Sequence, residues 1–211
     1  MPAAVVAARA LVAALVAALV LMALAAAGAG AGAARRASWS ADGAVREWHL
    51  HVYWFASDAA SVAAAERLRA EVVERVRRRE LVAVCAGVTR AMVPRLNESA
   101  VPPVNYGPVG PHPVASFETW VSREHLAAAL SLFTTRRGDL SVLLHPLTPD
   151  MLLDHTADAM WLGERLRLNL GPFRQGEHHD APQYPELGLG YSAKDGDAES
   201  LQGELDEAEP L

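Results

Sequence analysis

His49 and His51 stand two apart in the run Trp48-His49-Leu50-His51-Val52-Tyr53-Trp54-Phe55. Its aromatic and β-branched residues alternate with period two, which predicts a strand on which residues i and i+2 share a face. The two imidazoles then project together, with Leu50 and Val52 on the opposite side. Neutral imidazole is the commonest metal ligand, so the pair suggests the floor of a metal site. The competing chemistry is ordinary hydrogen bonding on a half-exposed sheet.

Four further side chains bear on that choice. Glu118 lies in the alternating Ser116-Phe117-Glu118-Thr119-Trp120, and His145 ends another alternating run over 139–145. His112 sits between Pro111 and Pro113, which restrict the backbone on both sides. It suits an acid, a base or a ligand beside a substrate hydroxyl; otherwise it is the exposed ring of a stiff turn. His155 follows Asp154, which either orients that imidazole or caps a helix. Three histidines and a carboxylate suit non-haem Fe(II) or Zn, and open positions favour Fe(II) oxygen chemistry. A closed structural zinc site would want thiolates. The single cysteine, Cys85, lies in an apolar run and is expected to be a buried, inert thiol.

The elements that must bring these side chains together follow from periodicity. The strand over 47–55 is followed by Ser57 and Asp58, either of which can cap a helix. Val62, Ala65, Leu68, Val72, Val73 and Val76 then recur at helical spacing. Strands are predicted over 81–89, 115–121 and 139–145. A second helix, capped by Ser122, carries Leu126, Ala129, Leu130 and Phe133 before Gly138. A Pro- and Gly-rich loop spans 94–113, a length that is often functional. A helical turn and a short edge strand are expected within 148–170. The order βαββαβ is the ferredoxin-like split βαβ arrangement, an α+β fold with an antiparallel sheet and helices on one face. In it the first and third strands are central neighbours and the fourth lies beyond the first. Placing Leu50/Val52, Phe117/Val121 and Leu140/Val142/Leu144 under the helices puts His49, His51, Glu118 and His145 together on the other, open face.

Composition bounds the rest. The chain has 211 residues and a net charge of −6, which argues against a nucleic-acid footprint. One cysteine excludes an intrachain disulfide framework. Residues 1–34 are mostly Ala, Val, Leu and Gly, followed by small-residue cleavage sites, and are expected to be a signal peptide. An uncleaved membrane anchor and an organelle-targeting peptide are the alternatives. The expected location is therefore the secretory pathway or the cell exterior, with membrane association only if the leader stays. Residues 45–173 form the expected folded domain. From 174 to 211, ten acidic residues oppose only Arg174 and Lys194, the composition of a disordered acidic tail. His178 and His179 within it are expected to be an incidental solvated pair.

Four motifs in order resemble the DOPA 4,5-dioxygenase family of fungi and bacteria. They are His49-Leu50-His51-Val52-Tyr53-Trp54; Gly107-Pro108-Val109-Gly110-Pro111-His112-Pro113 with Phe117-Glu118; Leu144-His145-Pro146-Leu147-Thr148; and Asp154-His155-Thr156 through Trp161-Leu162-Gly163. The resemblance implies a ferredoxin-like α+β domain, commonly a homodimer, that opens a catechol ring beside its hydroxyls with O₂ and a non-haem iron. DOPA is the family's named substrate. Carried over, His49 and His51 would be ligands or their immediate neighbours, and His112, His145 and His155 would complete the pocket, without deciding which three bind metal. The leader and the acidic tail depart from what a cytosolic ring-cleaving enzyme would carry. The alternative is a secreted or tethered domain of the same fold that binds metal or ligand without turnover.

Overall fold

The computed structural model describes residues 43–173 and 182–194, together with Ala17, Ala18, Met22 and Gly203. The expected leader therefore lies almost wholly outside the described residues, and so do His178 and His179. The chain divides into two compact units, Met1–Ala44 and Val45–Leu211. Every strand among the described residues belongs to the second.

That unit runs β1 (Glu47–Trp54), α1 (Ala59–Arg77), β2 (Ala83–Cys85), β3 (Ala115–Ser122), α2 (Leu126–Arg136), β4 (Ser141–Pro146), α3 (Met151–Asp154) and β5 (Met160–Leu162). The strands form one antiparallel sheet in the order β2-β3-β1-β4-β5. This is the expected split arrangement, with β5 added at the edge beside β4. β1 is central, which suits its dense run of aromatic and aliphatic residues buried on both faces.

Asp58 is the residue that caps α1, its side chain accepting from the Ala60 N–H at 2.9 Å. Leu68, Val72 and Val76 of α1, with Ala129, Leu132 and Phe133 of α2, are buried against Leu50, Val52, Phe117, Val121, Val142 and Leu144. Full burial of each such large aliphatic or aromatic side chain stabilises by about 1.5–3 kcal/mol. Two boundaries differ from expectation. Ser122 does not cap α2, because the β1–β3 ladder extends to the pair Glu47–Ser122 and holds Ser122 in extended backbone. The helix begins four residues later, with His125 at the cap position and no side-chain capping bond. The strand expected over 81–89 shortens to three residues, since the chain turns away at Gly87, whose φ is +91°.

Directly opposed residues on antiparallel strands share a face. His49 is opposed by His145 and Trp120, His51 by Glu118 and Leu143, and Tyr53 by Ser116 and Ser141. Leu50 and Val52 are opposed by Leu144, Val142, Thr119 and Phe117 on the helix side. The predicted segregation of the two faces is therefore what the register produces.

The histidine face, however, is not open. Residues 182–194, expected to belong to a disordered tail, fold back over it. Tyr184, Leu187 and Leu189 are buried, and the Tyr184 ring meets Trp120 edge-on at 5.1 Å. The fastening point is Glu47, a fully buried carboxylate that accepts from Trp120 Nε1 (3.0 Å), Gln183 N (3.0 Å) and Tyr191 N (3.1 Å). Gly190 passes so close that a Cβ there would lie 2.5 Å from Glu47 Cγ. The acidic composition of 174–211 as a whole conceals this short apolar segment.

Candidate metal centre

β1 supplies the centre of the site. The register sets His49 against His145, and the Nε2 atoms of His51 and His145 come within 3.0 Å, their rings nearly parallel at 10°. His145 Nδ1–H donates to the Pro146 carbonyl at 2.7 Å, so Nε2 is its unprotonated nitrogen and faces His51. His155 is held the same way: it follows the last turn of α3, and its Nδ1–H donates to the Met151 carbonyl at 2.9 Å. Its ring lies 4.1 Å from His145 and 4.7 Å from Phe173, centroid to centroid. Backbone carbonyls that take the Nδ1 proton fix both tautomer and ring orientation, as they do for metal-binding histidines.

Asp154 plays neither of the parts its sequence position suggested. Asp150 caps α3, accepting from Leu153 N at 3.1 Å. The Asp154 carboxylate turns back to accept from Thr148 N (2.8 Å) and Thr148 Oγ1 (2.7 Å), which closes the β4–α3 loop. Burial pushes it up to about 7 despite those bonds.

The long loop delivers His112. Val109 and His112 exchange backbone hydrogen bonds across a tight turn in which Gly110 has φ +53°. The ring is buried 4.2 Å from that of His51, and Nδ1 is 2.7 Å from the Tyr53 hydroxyl. Tyr53 continues the His49, His51 alternation, so the strand pattern already pointed at it. Glu118 reaches the cluster from β3, with Oε1 3.3 Å from His49 Nε2 and Oε2 4.0 Å from His51 Nδ1. Its side chain keeps 23% exposure, at the edge of the cluster. Gln183 approaches His49 Nε2 from the tail segment at 2.5 Å, and nothing in the sequence marked it.

All five histidines proposed from sequence thus converge. Two triads, His49/His51/His145 and His51/His112/His155, each have ligand atoms within 4.8 Å of one another, with His51 common to both. Burial is the first cause holding four of these rings neutral: His49 is lowered to about 4, His112 to about 3, and His51 and His145 well below the usual imidazole range. Neighbouring imidazoles push His51, His112 and His145 the same way. Neutral imidazole is the metal-binding form. Lone pairs packed together without compensating positive charge, two of them aimed by backbone carbonyls, fit a divalent transition metal.

A cleft of about 710 Å³ opens beside His155, lined also by Thr156, Trp161 and residues 165–170. That volume suits a small organic ligand. A narrower pocket of about 260 Å³ reaches His51, His112 and Glu118 from the loop side.

The model of the Dopa 4,5-dioxygenase family matches residues 48–171. The chain belongs to that family. All six candidate site residues fall inside the match, whereas Gln183 lies beyond it. A DOPA 4,5-dioxygenase from Amanita muscaria is 38% identical over 152 residues, covering 72% of this chain and 60% of that protein. An uncharacterised 21.2 kDa protein from Botryotinia fuckeliana is 45% identical over 71 residues, covering 30% of this chain and 39% of that one. The chain thus spans less than two thirds of the length of either relative. A crystal structure of a candidate dioxygenase from Nostoc punctiforme superposes with a TM-score of 0.48 at 27% identity, covering 62% of this chain and 93% of that one.

Proposed function

We propose that this member of the Dopa 4,5-dioxygenase family opens a catechol ring beside its hydroxyls with O₂, at a non-haem Fe(II) held by the histidine cluster. The observation that carries the proposal is the convergence on His51. Four other imidazoles surround it, and two of them, His145 and His155, have Nδ1 tied to backbone carbonyls and Nε2 left for a metal. Bound Fe(II) supplies an electron-rich centre through which a catechol and O₂ react. The remaining chemistry belongs to the chain. Glu118, with Oε1 3.3 Å from His49 Nε2, places a carboxylate at the rim of the cluster. The Tyr53–His112 pair can hold or pass a proton at His112 Nε2, since whichever partner donates at Nδ1 decides whether Nε2 carries hydrogen. Trp161, stacked on Tyr53 at 5.7 Å, gives the cleft an aromatic wall.

The test is anaerobic loading of the full chain with Fe(II), then addition of DOPA or another catechol and O₂. A yellow ring-opened product is expected, with one equivalent of oxygen consumed per ring. No product from any member of a catechol panel, with zinc held tightly instead, would replace this proposal with a metal-binding domain that does not turn over.

A further inference from the structure

We infer that the pocket of about 260 Å³ on the loop side of the histidine cluster is the entry and holding site for O₂, separate from the cleft that takes the organic substrate. This rests on the catechol-cleaving proposal and gives its second substrate a route of its own. The cluster opens on two sides. His155 faces the 710 Å³ cleft, whereas His51 and His112 line the smaller pocket, and the two openings share no lining residue. The partition between them is fixed. Asn169 N–H, from the cleft wall, donates at 2.9 Å to the carbonyl of Pro111, which belongs to the pocket wall. The rings of His112 and His155 lie 6.0 Å apart, centroid to centroid, so both openings lead to one centre.

Size and surface suit the smaller pocket to a diatomic gas. Its volume falls below the roughly 300–1,000 Å³ of sites for drug-sized ligands, a range that includes the cleft. Pro102, Pro103, Val109 and Pro111 form its apolar wall. Proline has no N–H, so this stretch offers methylene surface rather than backbone donors. O₂ is apolar and weakly hydrated, and such surface favours it over bulk water. The wall is also stiff. Asn105 and Ser116 exchange backbone hydrogen bonds at 2.9 and 2.8 Å, and Val109 and His112 do so at 3.1 and 2.9 Å, which pins the loop at two points. An aromatic ring seated between His155 and Trp161 would close the cleft side to solvent. The loop side would remain for O₂.

Two measurements test this on the full chain. The first uses Fe(II)-loaded protein and the best substrate of the catechol panel. Val109→Trp should raise KM for O₂ by about 10-fold and leave the catechol KM, and kcat at saturating O₂, near wild type, the split expected when only one substrate is obstructed. Val109 is 43% exposed, so a larger ring fits there without displacing buried neighbours. Pro103→Trp, also at an exposed position of the wall, should act the same way, and Val109→Ala should match wild type. The second measurement places metal-free protein under O₂ pressure and follows proton relaxation by NMR, since O₂ is paramagnetic. The His112 ring signals should be relaxed in wild type and protected in Val109→Trp, with the exposed Leu130 methyls of α2 relaxed equally in both. An unchanged KM for O₂ in both tryptophan variants would overturn the proposal. So would a fall in kcat with a solvent isotope effect instead, which would make the pocket a route for water and protons. If no catechol is turned over but O₂ still relaxes His112 through the pocket, the reaction assignment fails and the gas site stands. Absence of that relaxation would end the gas site whatever the activity.

Discussion

His49 Nε2 stands 2.5 Å from Oε1 of Gln183, a residue 134 positions later in the chain. An amide oxygen only accepts, so His49 must donate there through Nε2–H, which leaves Nδ1 as its unprotonated nitrogen. The contact therefore selects a tautomer for the first histidine of β1, as the Pro146 and Met151 carbonyls do for His145 and His155. Gln183 is itself positioned by Glu47, which accepts from its backbone N–H two residues before His49. The segment 182–194 is thus tied to both ends of the Glu47–His49 stretch.

Removing this tie should loosen the metal centre without dismantling the sheet. Gln183→Ala is expected to weaken Fe(II) binding by about 10- to 100-fold, the usual effect of losing a residue that orients a ligand. Truncation after Phe173 should do the same and also lower the melting temperature, since it exposes Tyr184, Leu187 and Leu189 partners and leaves the buried Glu47 with one donor fewer on each side. Metal titration monitored by calorimetry separates the effects. A truncated chain with wild-type Fe(II) affinity would show that the segment is only a cover.

The metal and proton roles of the histidines separate by substitution. His51 is common to both triads, so His51→Ala should abolish stoichiometric metal binding. His112 belongs to one triad and is bonded to Tyr53, so His112→Ala should keep most of the metal and lower turnover by about 10²- to 10⁴-fold, the range of an acid–base group. Metal analysis of both variants, set beside their turnover, is the measurement. Full metal content in His51→Ala would remove this cluster from consideration as the iron site.

The sheet and the histidine convergence were legible because both depend on period-two alternation, which survives in the sequence wherever a strand has two different faces. His49, His51 and Tyr53 could be assigned to one face from β1 alone. His112 was marked by its two prolines, although not its burial or its bond to Tyr53. The part that was not legible is the part made by distant contacts. Gln183 lies in a stretch whose average composition is acidic and polar, and only its own bond to Glu47 and the packing of Tyr184 on Trp120 give it a place. Asp154 illustrates the same limit. Its neighbours in sequence offered a cap or a histidine partner, and the loop geometry gave it to Thr148 instead.

Metal-free protein should lose stability in mild acid. His49 and His112 have folded values lowered to about 4 and about 3, and His51, His145 and His125 are lowered too. For each, the unfolded chain binds a proton near pH 6.5 that the folded chain refuses. Their contribution is therefore complete above about pH 6.5 and is lost as pH falls towards 4. Asp154, raised to about 7, and Glu47, also raised, act with the opposite sign over part of this range. Five imidazoles outweigh two carboxylates, so the net slope should be a fall of stability from pH 7 to pH 5, of order 1 kcal/mol per pH unit for each uncompensated group. Urea midpoints of apo protein at the two pH values measure it, and Fe(II) should raise both midpoints without narrowing the difference, since it holds the same rings unprotonated in the folded chain. Equal midpoints for the apo protein would mean that these rings are not held neutral.

Tyr53 offers the most selective probe of the proton chemistry. Its hydroxyl is 2.7 Å from His112 Nδ1, and burial raises its pKa, so it remains a phenol throughout the working pH range. Tyr53→Phe keeps the ring that stacks on Trp161 and removes only the oxygen. The stability cost should be about 0.5–1.5 kcal/mol, one hydrogen bond, and metal content should be unchanged. Without the phenol, His112 loses the partner that biases its tautomer, and the proton at Nε2 is no longer set. Turnover should fall by about 10-fold or more, with a displaced limb in the pH–rate profile rather than a higher KM. Stopped-flow measurement of ring opening across pH 5 to 9 distinguishes the outcomes. A wild-type kcat and profile in Tyr53→Phe would reduce the pair to a packing contact and move the proton-handling role to another member of the cluster.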